Sequence, residues 1–280
     1  VSLGSELFAE MSSLVVEAPH QPVDVRAGAA PSILKKAFDV LGSFSPDRRV
    51  LSFAEVARAS GLPKSTTHRV LAMLVEMGAV EQHTDGYRIG LRMFAVGACS
   101  AEVALRDIAL PAMEELHRIA RQTLHLAVLR GPDVVYIEKL RTHQAVPTPA
   151  VVGASLPAHW TAVGKALLAE ERAESAASTE VLRSRAGRKM ADPAAFAQEL
   201  TLSRARGYAV DREESVAGLA CIAVPIVAGG SAVAALSVAF PAAAGKGEVL
   251  LNPLRATAAR IGRSLPPALR GSLLRERHAR

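Results

Sequence analysis

Cysteine is scarce in this chain. Cys99 and Cys221 are the only two among 280 residues, they form no CxxC pair, and nothing resembles a disulfide framework. No cluster of His, Cys, Asp and Glu has metal-ligand spacing, so no metal is expected. Gly164-Lys165 is not a phosphate-binding loop, because His159 stands where the first glycine belongs and Ala166 replaces Ser or Thr. No GxGxxG follows a strand, and no cofactor of any kind is expected. The start of the chain lacks a basic residue run followed by an apolar one and contains Glu6, Glu10, Glu17 and Asp24. That excludes a signal peptide and leaves a reduced, cytoplasmic protein as the expectation.

Charge is also missing where it matters. From Ser215 to Gly245 there is no charged side chain, a stretch long enough to span a bilayer. Pro225 and Gly229-Gly230 interrupt it, however. Two buried strands, Leu219–Val227 and Ala232–Phe240, joined by a Gly-Gly turn fit the pattern better than a spanning helix. No membrane partner is expected.

What is present is half hydrophobic and 21% charged, the composition of a globular chain long enough for two domains. The net charge of +6 permits a polyanionic partner without requiring one. Part of the excess lies in residues 255–280, with seven arginines against Glu276, and reads as a solvated tail. Residues 1–30 have no sustained periodicity and read as a flexible leader.

From Ser32, a plausible N-cap, Ile33, Leu34, Ala37, Phe38, Leu41 and Phe44 share one helical face. Ser52-Phe53-Ala54-Glu55 has the form of a capping box, opening a short helix that ends at Ser60-Gly61. Pro63 then suits the first turn of a new helix running from Lys64 to about Met77, with Thr67, Val70, Leu71 and Leu74 inward. Asp85-Gly86 between short extended runs signals a hairpin. Helix, short helix, tight turn, helix and hairpin make a winged helix-turn-helix over residues 31–90.

A recognition helix must expose short polar and basic side chains in its first two turns. Lys64, Ser65, Thr66, His68 and Arg69 do so. Arg69 suits bidentate contact with guanine, Ser65 and Thr66 suit bases or phosphates, and Lys64 suits a phosphate. Arg88 in the hairpin suits backbone or minor groove. Lys35, Lys36, Arg48 and Arg49 are either flanking contacts or plain solvated charges. The partner so indicated is double-stranded DNA.

Leu91–Leu105 is apolar and helical in pattern, a linker helix over residues 91–106. An amphipathic helix from about Asp107, strands over Leu124–Arg130 and Val134–Leu140, helices near Thr161–Glu171, Pro193–Arg206 and Leu251–Ser264, and the uncharged hairpin complete an α+β domain over residues 107–265. Residues 266–280 form the basic tail.

Gly61-Leu62-Pro63-Lys64-Ser65-Thr66-Thr67-His68-Arg69-Val70-Leu71 resembles the recognition motif of the IclR family of bacterial transcription regulators. Thr67 departs mildly, since an aliphatic residue is commoner there. Four further segments resemble that family's GAF-like effector-binding domain: Leu156–Ala169, Gly207–Glu214, Gly218–Ile226 and Val233–Val238. The resemblance implies a repressor of a metabolic operon, a dimer or tetramer on a palindromic operator, and a small acidic or aromatic effector. Carried over by motif, it implies that Ala162, Val163, Asp211, Cys221 and Ser237 hold the effector. Leu156, Trp160 and Leu219 would line an apolar wall. Ala239 stands where a second serine is usual, removing one polar contact.

By residue type alone, Cys221 on a buried strand is a packing residue, Asp211 caps a turn, and His159 is an interior histidine. Two other functions compete. One is a DNA-binding protein with no effector. The other is an enzyme using Cys221 as nucleophile with His159 or His125 as base.

Overall fold

The computed structural model describes residues 32–142, 146–171, 193–245 and 247–277, and the expected leader at 1–30 lies outside them. The chain forms two compact units, one ending at Ser100 and the other beginning at Ala101. Among the described residues, no helix is long and apolar enough to cross a membrane.

The first unit contains α1 (Ile33–Leu41), α2 (Phe53–Ser60), α3 (Lys64–Glu76), β1 (Val80–His83), β2 (Gly86–Ile89) and α4 (Leu91–Gly97). Local chemistry sets its boundaries. Ser32 Oγ accepts the Lys35 amide at the start of α1. At α2 the capping box is complete: Ser52 Oγ accepts the Glu55 amide and the Glu55 carboxylate accepts the Ser52 amide. Gly61 ends α2 in the left-handed region, φ 67°, where a Cβ would be strained. Pro63 sits one residue earlier than expected, at the cap position before α3, and its carbonyl accepts the Thr67 amide.

The apolar face of α1 is divided. Val40 is fully buried with Ala37, Leu41 and Phe44 against the helix-turn-helix core, while Leu34 and Phe38 remain 69% and 63% exposed. The hairpin also differs by one residue from expectation. His83 pairs with Gly86, so Thr84 and Asp85 form the turn and Gly86 opens β2. Gly86 is needed for another reason: a Cβ there would come within 2.6 Å of the Leu51 carbonyl, which pairs with Tyr87 as a third, one-residue strand.

The second unit contains α5 (Ala101–Ala120), β3 (Thr123–Arg130), β4 (Asp133–Leu140), β5 (Ser155–Pro157), a 3-10 turn (Ala158–Trp160), α6 (Ala162–Ala169), α7 (Pro193–Arg206), β6 (Ala209–Arg212), β7 (Leu219–Ala228), β8 (Ser231–Pro241), two further 3-10 turns (Ala242–Ala244 and Gly247–Leu250), α8 (Leu251–Ser264) and α9 (Pro267–Arg277). The expected helix over Leu91–Leu105 is two pieces, interrupted by turns at Ala98–Ser100, and its second half belongs to the twenty-residue α5. Gly97, Cys99 and Ser100 are weak helix formers and favour that interruption.

The six strands run β5-β4-β3-β8-β7-β6, every neighbouring pair antiparallel. The uncharged segment forms β7 and β8 across Gly229-Gly230, both at positive φ, as a buried hairpin. Alternation gives the sheet two unlike faces. Leu124, Leu126, Val128, Ile222, Val224, Ile226, Leu236 and Val238 pack one face under α5, α8 and α9. Ala127, Cys221, Ala223, Ala235 and Ala239 supply much of the other, under α6 and α7. Small side chains let α6 approach closely and leave room beside it.

α9 replaces most of the expected basic tail. Leu273 is 1% exposed, and Leu269 and Leu274 pack with it on the first core. Burying such a leucine stabilises by about 2 kcal/mol, enough to dock a short helix while Arg275 stays exposed.

Candidate functional site

The recognition face is α3. Lys64, Ser65, His68 and Arg69 are exposed and Thr66 is half-buried, while Thr67, Val70, Leu71 and Leu74 are buried. The helix therefore presents donors along one side and is held by the other. Thr67 Oγ1 donates back to the Pro63 carbonyl at 3.2 Å, which satisfies a buried hydroxyl in a position that packs rather than reads. His68 is partly occupied, its ring edge-on to Phe53 with centroids 6.1 Å apart.

Except for Lys36, the flanking cations differ from Lys64 and Arg69 of α3. Lys35 pairs with Asp39 at 3.0 Å, Arg48 with Glu55 at 3.9 Å, Arg88 with Glu81 at 3.9 Å, and Arg49 donates to the Pro46 carbonyl. Among the described residues, Lys64 and Arg69 have no such pairing. Glu81 also accepts the Leu91 amide at the start of α4, and that bond holds its carboxyl below the usual range.

The second site is a cavity under the entry to α6. Leu156, Ala162, Val163, Asp211, Leu219, Cys221 and Ser237 all line it, together with His125, Tyr136, Thr148, Pro149, Ala150, Thr161 and Ser215. Trp160 does not. It lies in the 3-10 turn, its ring edge-on to His159 at 5.2 Å. The cavity has about 20 Å³ of free space, the room of one water molecule.

All six strands, one helix end and two loop segments build these walls. Thr161 caps α6 by accepting the Gly164 amide at 3.0 Å, leaving the amides of Ala162 and Val163 in the first turn. Gly164 is required by close approach, since a Cβ would stand 1.9 Å from the Ala158 carbonyl. Asp211 both caps a turn and lines the cavity: it accepts the Glu214 amide at 2.8 Å and the Ser215 hydroxyl. Burial pushes its carboxyl up to about 6.

Burial also drives the Cys221 thiol well above its ordinary value, and the neighbouring Asp211 charge adds to this. That is the reverse of what activates a nucleophilic cysteine. His159, held down to about 4 by burial, lies outside the cavity lining, whereas His125 is inside it.

Sequence reasoning passed over Lys165 entirely as a site residue. It is wholly buried on α6, its ammonium 2.8 Å from Glu199 on α7 and 2.7 Å from Glu214 in the turn that Asp211 caps. The signal available was a lysine inside an otherwise apolar helical segment.

A winged helix with a cationic recognition face and an α+β unit enclosing a polar-lined cavity define a two-domain, ligand-sensing DNA-binding regulator. Residues 33–84 match the IclR helix-turn-helix domain and residues 98–263 match the bacterial transcriptional regulator IclR C-terminal domain. The chain belongs to the IclR family of transcription regulators. It is 32% identical over 203 residues to the regulator XynR of Escherichia coli, covering 69% of this chain and 79% of that protein. It is 35% identical over 199 residues to the E. coli repressor AllR, covering 68% and 73%. Among solved structures, an IclR homolog of Microbacterium hydrocarbonoxydans complexed with 4-hydroxybenzoate superposes with a TM-score of 0.76 at 32% identity, covering 84% of this chain and 99% of that one. The IclR protein of Thermotoga maritima superposes with 0.69 at 29% identity, covering 83% and 98%.

Proposed function

We propose that this regulator acts in the cytoplasm as a non-enzymatic repressor of a metabolic operon, binding a palindromic operator as a dimer or tetramer. The observation that carries it is the division of α3: Lys64, Ser65, Thr66, His68 and Arg69 are offered to DNA while Thr67, Val70, Leu71 and Leu74 hold the helix. Repression is supported by the likeness to AllR, a named repressor. Self-association is supported by apolar side chains left in solvent, Leu34 and Phe38 on α1 and Leu91 and Phe94 on α4, the last two 75% and 74% exposed.

The effector is a small acidic or aromatic metabolite held in the α6 cavity. Amides at a helix entry favour a carboxylate, and the superposed Microbacterium structure holds 4-hydroxybenzoate. With room for one water, the cavity has to widen as a ligand enters. An effector thus binds one conformation better than the other, the condition for it to change operator affinity. Genome-wide mapping of bound sites, followed by footprinting with and without candidate acids, tests the assignment. A ligand screen in which no acid raises thermal stability or shifts the footprint refutes the sensor.

A further inference from the structure

On the sheet face opposite α6, α8 lies against β7 and leaves a groove with about 310 Å³ of free space, against about 20 Å³ in the α6 cavity. The sheet makes this opening because β6 stops pairing with β7 at Ala223. From Val224 onward the outer edge of β7 is met by α8 instead of a strand. Gly262 of α8 comes so close that a Cβ there would stand 2.2 Å from the Val227 carbonyl. Pro225 has no N–H to offer an added strand. The edge is thus closed to strand addition, while the space beside it stays open.

The middle of the groove and its ends differ in character. Val224, Pro225, Ala258 and Ala259 make the middle apolar. Arg255 and Arg263 stand one turn to either side of Ala259 on the same face of α8, about 12 Å apart along the helix. Arg255 is fixed in place: it donates to the Arg206 carbonyl, and its guanidinium lies 5.5 Å from the centre of the Tyr208 ring. Arg263 is exposed and, among the described residues, has neither an ion pair nor a hydrogen bond, whereas Arg260 on the same helix pairs with Glu115 at 2.7 Å. Among the described residues no Asp or Glu lines the groove. Two cations without a counter-charge attract anions to both ends, and each guanidinium can hold a carboxylate by paired hydrogen bonds. A ligand with one anionic end satisfies one arginine only. A ligand with two satisfies both, and its apolar middle covers Val224 and Pro225.

We propose that the groove between α8 and β7 is a second ligand site, separate from the α6 cavity, for an elongated dianion with an apolar middle, of the α,ω-dicarboxylate class. It stands independently of the sensor function proposed above.

The test is calorimetric titration of the full chain at low salt with hexanedioate, octanedioate and decanedioate, each beside the monoacid of the same length. For at least one length the dianion should bind about tenfold or more tightly than the monoacid. Arg263→Gln should bring the dianion down to the level of the monoacid. Ala259→Glu, which sets a like charge midway between the arginines, should abolish its binding. Both positions are exposed, so neither change reaches the core. Methyl signals of wild-type Val224 and Ala258 should move with the dianion, a readout that needs no variant. Equal affinity of dianion and monoacid at every length, a gap that survives Arg263→Gln, or unmoved Val224 and Ala258 signals overturns the second site. Shifts confined to Val163 and Leu219 would place the acid in the α6 cavity instead, and so overturn the second site while leaving the sensor standing.

Discussion

The ammonium of Lys165, fully buried on α6, stands 2.7 Å from the carboxylate of Glu214, whose own backbone amide is bonded to Asp211 at 2.8 Å. Glu199 on α7 holds the same ammonium at 2.8 Å. One cation thus ties two helices to the turn that places Asp211 on the cavity wall. Replacing Lys165 by Met removes the charge with little change in volume and strands two carboxylates that are 35% and 22% exposed. The expected loss is about 2–4 kcal/mol, below that of a wholly buried pair because water reaches both acids. Urea unfolding measures it, and no loss would show the triad to be dispensable.

On DNA, Arg69→Ala should weaken specific binding by about 1–3 kcal/mol and relax one operator position. Lys64→Ala should weaken binding to every sequence and flatten the salt dependence. Thr67→Val, which removes only the hydroxyl's bonds back to the Pro63 and Leu62 carbonyls, should leave both unchanged. Gel-shift titrations on operator and random DNA at two salt concentrations separate these outcomes. Equal loss on both DNAs for Arg69→Ala would make it a phosphate contact.

Gly164→Ala tests the helix entry. Its Cβ would fall 1.9 Å from the Ala158 carbonyl, a backbone atom that cannot rotate away. The effector unit should lose about 3 kcal/mol or more, seen as a lowered thermal transition.

Acid should destabilise the protein through His125. Its folded pKa of about 3 lies below the ordinary 6.5, so the unfolded chain binds the extra proton. The stabilisation is whole above pH 6.5 and is lost as pH falls towards 3, about 2 kcal/mol of it by pH 5. His159 adds a loss of the same sign. In His125→Phe the slope of stability against pH between 6 and 4 should be shallower by about one proton's worth.

Asp211 has the opposite sign. Its folded pKa of about 6 exceeds the ordinary 3.8, so the folded state binds the proton more tightly and stability falls as pH rises from 3.8 through 6. Asp211→Asn keeps an acceptor for the Glu214 amide and removes the buried charge. It should stabilise by about 1–3 kcal/mol at pH 8 and by nothing near pH 3.5. Unfolding curves at the two pH values decide it.

The helix-turn-helix was legible because its signals are local. The Ser52–Glu55 box, Gly61 and the alternation of exposed and inward residues from Lys64 to Leu74 each act within a few positions. Even there, Asp85-Gly86 promised a turn where the chain uses Thr84-Asp85, since the glycine answers to Leu51, thirty-five residues away. The basic end misled for a related reason: seven arginines hid Leu269, Leu273 and Leu274, whose core is made by other elements.

The cavity was legible only as motifs. Alternation along β3 puts His125, Ala127 and Leu129 on one face, but nothing local says that this face receives α6 and the other receives α5. That follows from pairing His125 with Ser237, 112 residues on. Trp160 shows the converse: its neighbours in sequence reach the cavity, and a single 3-10 turn sends it elsewhere. Caps and period were determined by the sequence itself, because they rest on hydrogen bonds and side-chain spacing within a few residues. Which polar groups meet, His125 with Ser237 and Lys165 with Glu199 and Glu214, was decided by tertiary structure, because only the packing of helices on the sheet brings segments so far apart in sequence together.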